Sequence, residues 1–107
     1  HNPAIAMQAH PDNTTPVFHL FVVEVDDRER FMQYMKDKGI LCDIHYPIPC
    51  HLQKAYAHLG YKQGDCPNAE YLSAHCVSLP MFPELTDEEA ERVIVACNEY
   101  KGKGKAC

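Results

Sequence analysis

One segment of the sequence, Val17–Val25, consists almost entirely of β-branched, aromatic and other apolar residues. Such a run, free of turn residues, predicts a mostly buried β-strand. A buried strand needs neighbouring strands and a covering layer of helices, and the rest of the chain must supply both. Because the chain has only 107 residues, we expect one domain with one modest core.

A helix and a second strand are predicted directly after this first strand. Asp26 stands three residues before Glu29, as in a capping box, and Gly39 has the position of a helix stop, so we predict a helix between them. Apolar and polar residues then alternate over 40–45, which predicts a strand. Pro47 ends that strand because its ring nitrogen cannot donate a hydrogen bond to a neighbouring strand.

The second half of the chain predicts two helices, a third strand and a last helix. Tyr56 and Leu59 are expected core residues of the first of these helices, because they share its apolar stripe. Thr86 and Glu89 form a capping box that begins the last helix. The predicted ranges are 51–59 and 67–76 for the two helices, 77–79 for the strand, and 86 onwards for the last helix.

This order of three strands and about four helices predicts an α/β (α+β) fold, a two-layer sandwich with a small three-stranded sheet. Residues 1–15 contain two prolines and show no periodicity. We therefore expect a flexible lead-in over 1–15 and a single domain over 16–107.

The charge and the cysteine pattern exclude several classes of protein. A formal net charge of −5 argues against a nucleic-acid-binding module, which would normally be basic. The apolar runs are too short to span a membrane. The six cysteines and seven histidines contain no CxxC, HxxxH or HExxH spacing, so we expect reduced thiols and a cytoplasmic location rather than a disulfide framework or a metal site.

The segment 43–51 is the richest in chemistry. Here a predicted strand ends, and prolines stiffen a loop that carries His45, Tyr46 and His51. Polar side chains on a rigid loop are typical of a binding site. The residues alone leave a second interpretation open, in which these side chains cover an edge of the core and hydrogen-bond to the backbone.

Several strings of residues carry a resemblance to a known family. In chain order they are Gly39-Ile40, His45-Tyr46-Pro47-x-Pro49-x-His51-Leu52-Gln53, Tyr56, Leu59-Gly60-Tyr61, Gly64-Asp65-x-Pro67, Ala69-Glu70 and Ser78-Leu79-Pro80-Met81-x-Pro83-Glu84-Leu85-Thr86. In order and spacing these strings resemble the DegT/DnrJ/EryC1/StrS family, whose members are aminotransferases that depend on pyridoxal phosphate (PLP) and act on nucleotide-linked keto sugars. The resemblance covers about residues 16–100.

The resemblance implies a particular part of such an enzyme. It implies the small C-terminal domain of a fold-type-I, aspartate-aminotransferase-like protein, which packs against a large domain that holds the cofactor. It also implies that His45, Tyr46 and His51 contact the substrate, a nucleotide-linked keto sugar. An imidazole and a phenol can both hydrogen-bond to sugar hydroxyls or to a diphosphate.

The same resemblance implies that the catalytic apparatus lies elsewhere. In the family the lysine that forms the Schiff base belongs to the large domain, and all seven lysines here fall on predicted helix faces, a turn or the tail. We therefore expect no catalytic residue and no bound PLP in this chain alone. The expected partners are the missing large domain and further copies in a homo-oligomer. Alternatives are a stand-alone sugar-nucleotide-binding or dimerisation module, or a domain of a related PLP-dependent sugar dehydratase.

Overall fold

A sheet of three short strands forms the centre of the molecule. The computed structural model describes residues 2–102. Among these residues, the longest helix has 13 residues, and no helix is both long and apolar enough to cross a membrane. The elements are β1 (Ile5–Met7), β2 (Phe21–Val25), α1 (Arg28–Asp37), two 3₁₀ helices (Cys50–Leu52 and Lys54–Leu59), α2 (Pro67–His75), β3 (Cys76–Leu79) and α3 (Asp87–Glu99).

The strands are antiparallel in the order β1-β2-β3. Val23 in the central strand lies opposite Met7 on one side and Val77 on the other. Side chains on a strand alternate between the two faces, so Val77 points into the core and Ser78 points to the opposite face. Both are buried. Ser78 is therefore a buried polar residue on the face away from the main core.

The main core lies between the sheet and helices α1 and α3. Val23, Val77, Phe31 and Met35 have the largest side chains that are completely buried, and Val93 and Ala96 of α3 join the same cluster. The Phe31 ring makes an edge-to-face contact with Tyr100, with 4.9 Å between ring centroids. The helix predicted between Asp26 and Gly39 and the last predicted helix are thereby confirmed, and they form the helical layer over the sheet.

The helix ends have the predicted capping residues, except that the cap of α1 lies one residue later than predicted. Thr86 and Glu89 form the reciprocal capping box at the start of α3. At α1 the cap is Asp27, whose carboxylate accepts from the Arg30 N–H at 3.2 Å, and not the predicted Asp26. Gly39 follows α1 with a φ of +77°, a conformation that side chains with a Cβ rarely adopt.

The strand predicted over 40–45 is wrong, because only one bridge forms there, between Asp43 and Ser78. In that register the next pair towards the C-terminus of β3 would join Leu41 to Pro80, which has no N–H to donate. The pair in the other direction would use the Cys76 N–H, which already bonds to the Leu72 carbonyl at the end of α2. The ladder is therefore blocked on both sides.

The remaining strand of the sheet, β1, comes from the segment 1–15, which was predicted to be a flexible lead-in. Ile5 of β1 pairs with Val25 and is buried. The side-chain amide of Asn2 donates to the carbonyls of Cys97 and Tyr100, each at 2.7 Å. These contacts attach β1 to the end of α3, which the sequence pattern of residues 1–15 did not reveal.

The helix predicted over 51–59 is also corrected, because this segment forms two short 3₁₀ helices. Tyr56 and Leu59, predicted as core, are 45% and 56% exposed. A 3₁₀ helix has three residues per turn, so a stripe at α-helical spacing does not stay on one face. Leu72 in α2 is likewise 47% exposed.

Candidate functional site

The loop that carries the predicted site residues begins at the sheet and ends in the first 3₁₀ helix. Tyr46 is 69% exposed and Ile48 is also exposed. The peptide bond between His45 and Tyr46 is cis. Pro47 and Pro49 fix their own φ angles, which limits the freedom of the chain between the two histidines. The loop therefore presents Tyr46 outward on a stiff backbone.

His45 is held at the sheet end of this loop. Its Nδ1 lies 2.9 Å from the Oγ of buried Ser78. The same Ser78 exchanges both backbone hydrogen bonds with Asp43, at 2.8 and 3.0 Å. The Nε2 of His45 lies 3.7 Å from the Asp43 carboxylate, which is too far for a hydrogen bond. The imidazole is thus fixed at one nitrogen, with the other directed towards a carboxylate on the surface.

His51 is held at the other end of the loop. Its Nε2 lies 2.9 Å from Oε1 of Glu70 in the first turn of α2. The His51 side chain is 8% exposed and that of Glu70 is 18% exposed. The rings of His51 and Tyr61 are also nearly perpendicular to each other, with 6.3 Å between centroids. His51 is therefore the most enclosed of the three predicted residues.

Glu70 is a member of the site that the sequence analysis did not single out. Its carboxylate accepts from the backbone N–H groups of Gly64 and Cys66 as well as from His51. Desolvation would raise the pKa of Glu70, but the hydrogen bonds from Gly64, His51 and Cys66, with the charge of His51, together lower it. The carboxylate is therefore ionised at neutral pH.

The structure places two of the three predicted residues in direct contact. The rings of His45 and Tyr46 meet edge to face, with 5.3 Å between centroids, whereas His51 is fastened separately to α2. Ser78 had a signal in the sequence, because it is the one polar residue in the strand Cys76–Leu79. Glu70 had no local signal, because it is 19 residues from His51 and only the fold brings them together.

The described lysines do not fit a Schiff-base site for PLP. Lys36, Lys38, Lys54, Lys62 and Lys101 are all exposed. A hydrogen bond to Glu99 raises the pKa of Lys38, whereas amine chemistry needs a desolvated lysine with a lowered pKa. The remaining two, at positions 103 and 105, lie outside the described residues. We therefore assign no reaction step through the cofactor to this chain.

The arrangement of the His, Cys, Asp and Glu side chains likewise gives little support for a metal site or a reactive cysteine. Within residues 2–102, no group of three or more His, Cys, Asp or Glu side chains is placed to hold a metal ion. The five described cysteines are free thiols. Burial raises the pKa of Cys42 to about 11, and the nearby Cys97 adds to that effect. What the loop does offer is an imidazole and an exposed phenol, which can hydrogen-bond to hydroxyl or phosphate groups.

Comparison with known proteins gives one consistent result. The model of the DegT/DnrJ/EryC1/StrS aminotransferase family matches residues 2–98. A dTDP-3-amino-3,6-dideoxy-alpha-D-galactopyranose transaminase from Aneurinibacillus thermoaerophilus is 43% identical over 99 residues, which are 92% of this chain and 27% of that protein. A dTDP-3-amino-3,4,6-trideoxy-alpha-D-glucose transaminase from Streptomyces venezuelae is 37% identical over 98 residues, with 92% and 26% covered.

Solved structures that resemble the fold of this chain come from proteins of the same kind. The Streptomyces venezuelae protein DesV, crystallised in complex with a ketimine intermediate, matches with a TM-score of 0.85 and 37% identity over 91% of this chain and 26% of that one. The PLP form of the sugar aminotransferase Spr1654 from Streptococcus pneumoniae matches with a TM-score of 0.73 and 28% identity, with 89% and 26% covered. The chain spans about a quarter of the length of these relatives, and it belongs to the DegT/DnrJ/EryC1/StrS aminotransferase family.

Proposed function

We propose that this chain is the C-terminal part of a PLP-dependent nucleotide-sugar aminotransferase and supplies one wall of its sugar-nucleotide site. The observation that carries the proposal is the loop from His45 to His51, which is fastened at both ends and exposes Tyr46 between them. The relatives named above support the substrate class, because their names specify transaminases of dTDP-linked amino sugars.

The three predicted residues have different roles in this proposal. Tyr46 and His45 contact the nucleotide sugar, since the phenol is exposed and His45 has one ring nitrogen that is not bonded to Ser78. Each provides a polar group that can reach a sugar hydroxyl or a phosphate oxygen. His51 is 8% exposed, so its contact with substrate is confined to the edge of its ring, and its larger contribution is to hold the loop.

The chain alone binds but does not transaminate in this proposal. The protein's part in PLP chemistry is to bind and orient the cofactor and to tune its ring, and the Schiff-base lysine is needed throughout. None of the described lysines is enclosed. We therefore place that lysine in the remainder of the natural protein, in a large domain preceding this one.

The exposed apolar residues near the loop are consistent with that missing partner. Ile48, Leu59 and Leu72 are each about half exposed, and exposed apolar side chains of this kind are suited to burial against another domain. We propose that the large domain covers them. The reading frame upstream of His1 in the natural gene checks this, because it should encode a large domain with a buried lysine; an upstream stop codon in that frame would contradict it.

A binding measurement with one substitution tests the site directly. We expect dTDP-glucose to shift the NMR signals of His45 and Tyr46 in the isolated chain. The substitution His45→Ala should weaken binding about tenfold, the effect of losing one good hydrogen bond to the ligand. Titration followed by chemical shifts gives both apparent affinities.

The matched control is His58→Ala, because His58 is exposed on the second 3₁₀ helix. It should bind dTDP-glucose like the unchanged chain. Equal losses in His45→Ala and His58→Ala, or shifts that avoid residues 45 and 46 altogether, would refute the assignment of this loop to the sugar nucleotide.

A further inference from the structure

The loop from His45 to His51 is fixed at both ends by polar side chains from other elements. At one end, Ser78 of β3 holds His45, and at the other, Glu70 of α2 holds His51. We propose that Glu70 is a positioning residue, whose carboxylate sets the tautomer of His51 and thereby holds the loop that presents Tyr46. An effect of Glu70 on binding of the nucleotide sugar rests on the proposed function. Its effect on the tautomer of His51 and on the loop does not.

The contacts of Glu70 show why it is suited to this task. Oε1 lies 2.9 Å from His51 Nε2 and 2.8 Å from the Gly64 nitrogen, and it accepts more distantly from Cys66 at 3.3 Å. Oε2 accepts from the same Gly64 N–H at 3.0 Å. One carboxylate thus joins three segments: the first 3₁₀ helix, the turn before α2, and α2 itself.

The chemistry of the pair determines which nitrogen of His51 carries the proton. An ionised carboxylate has only acceptors, so a hydrogen bond at 2.9 Å requires a proton on Nε2. The lowered pKa of Glu70, in which the bonds from Gly64, His51 and Cys66 outweigh desolvation, supports the ionised state. Neutral His51 is therefore the Nε2–H tautomer, with Nδ1 as its acceptor.

The position of His51 is transmitted to Tyr46 through a short and stiff path. The Pro49 carbonyl accepts from the Leu52 N–H at 3.0 Å, which closes the turn that contains His51. Pro49 and Pro47 then fix two φ angles between His51 and Tyr46. With His45 held by Ser78 at the far end, few rotations remain by which Tyr46 can change its position while both ends are attached.

A purely structural ion pair is the competing explanation, and an isosteric variant separates the two. In Glu70→Gln, the side chain keeps its size but can present either an amide oxygen or an amide NH₂ group to His51, so it no longer requires a proton on one particular ring nitrogen. The variant loses the charged acceptor that requires a proton on His51 Nε2. A structural role alone predicts a change in stability, whereas the positioning role predicts a change in tautomer and in the loop.

The experiment is ¹⁵N NMR of the histidine rings in the 107-residue chain at about pH 8, where an unperturbed imidazole is neutral. In the unchanged chain we expect the His51 pattern of a single Nε2–H tautomer. In Glu70→Gln we expect a mixed or inverted pattern, together with shifted backbone signals of Tyr46. The matched control is Glu84→Gln, which removes an exposed carboxylate and should alter neither signal.

Each outcome bears on the proposal. A His51 ring protonated on Nδ1 in the unchanged chain would overturn it without any variant, so it stays testable even if Glu70→Gln fails to fold. Unmoved Tyr46 signals in a folded Glu70→Gln would also overturn it. With the proposed function also correct, Glu70→Gln should bind dTDP-glucose about tenfold more weakly. If the unchanged chain shows the expected tautomer but does not bind dTDP-glucose, the proposed function fails and the positioning role stands.

Discussion

The substitution Phe31→Ala is expected to lower the free energy of unfolding by about 3–5 kcal/mol. Phe31 is completely buried between the sheet and the end of α3, and its ring packs edge to face on Tyr100. Truncation removes apolar contacts and leaves a cavity that the surrounding side chains fill only in part. Since small domains have about 5–15 kcal/mol of stability in total, this loss is a large fraction of the stability and should lower the urea midpoint of unfolding substantially. Urea denaturation followed by circular dichroism measures the change.

The same substitution at Phe82 is the matched control for Phe31→Ala. Phe82 is 48% exposed in the turn between β3 and α3, so Phe82→Ala should cost less than about 1 kcal/mol. If the two substitutions lower the unfolding midpoint equally, the core assigned to α1 and the sheet is incorrect.

The second large effect concerns the reactivity of the cysteines. Burial raises the pKa of Cys42 from 9.0 to about 11, with a smaller contribution from Cys97. Because each unit of pKa changes the thiolate fraction tenfold, Cys42 should alkylate about 100-fold more slowly than an ordinary thiol. Cys50 is exposed at the start of the first 3₁₀ helix and should react faster than Cys42. Iodoacetamide labelling at about pH 8, followed by peptide mass spectrometry, gives the two rates.

Unfolding provides the control for this comparison. In guanidinium chloride the peptides that contain Cys42 and Cys50 should label at similar rates, because burial no longer distinguishes them. Equal rates in the folded chain would show that Cys42 is not half-buried against the core near Cys97.

The helical layer could be predicted from the sequence because its signals are local. The capping box of Thr86 with Glu89 and the stop at Gly39 depend on residues within a few positions of each other. The strand at Val17–Val25 was also evident, although its paired part is shorter, at Phe21–Val25. The signals for these elements come from residues close together in the sequence, so they can be read without knowing which distant residues they contact.

The remaining elements could not be predicted because distant residues decide them. Residues 40–45 alternate as a strand does, yet Pro80 has no N–H for the next rung and the Cys76 N–H is taken by α2. Ile5 forms a strand because it pairs with Val25 and packs in the same core cluster as residues at the end of α3. Both outcomes depend on partners far along the chain, which periodicity does not show.

The loop of the candidate site could be predicted from the sequence, but the residues that hold its two ends could not. Two prolines and three polar rings marked the segment from His45 to His51 within a few residues. The supports, Ser78 and Glu70, lie 33 and 19 residues from the histidines that they hold. A buried serine in an apolar strand and a carboxylate in a first helical turn each have ordinary structural explanations, and only the folded chain shows what they bind.

We have proposed that this chain carries a wall of the nucleotide-sugar site but not the lysine that binds PLP. The most direct measurement is to mix the purified 107-residue chain with PLP, record the visible spectrum, reduce with borohydride and map adducts by mass spectrometry. We predict no saturable absorption band and only scattered, sub-stoichiometric labelling, because the described lysines are exposed whereas a Schiff-base lysine lies in a desolvated site. A single lysine trapped at one PLP per chain would contradict the account.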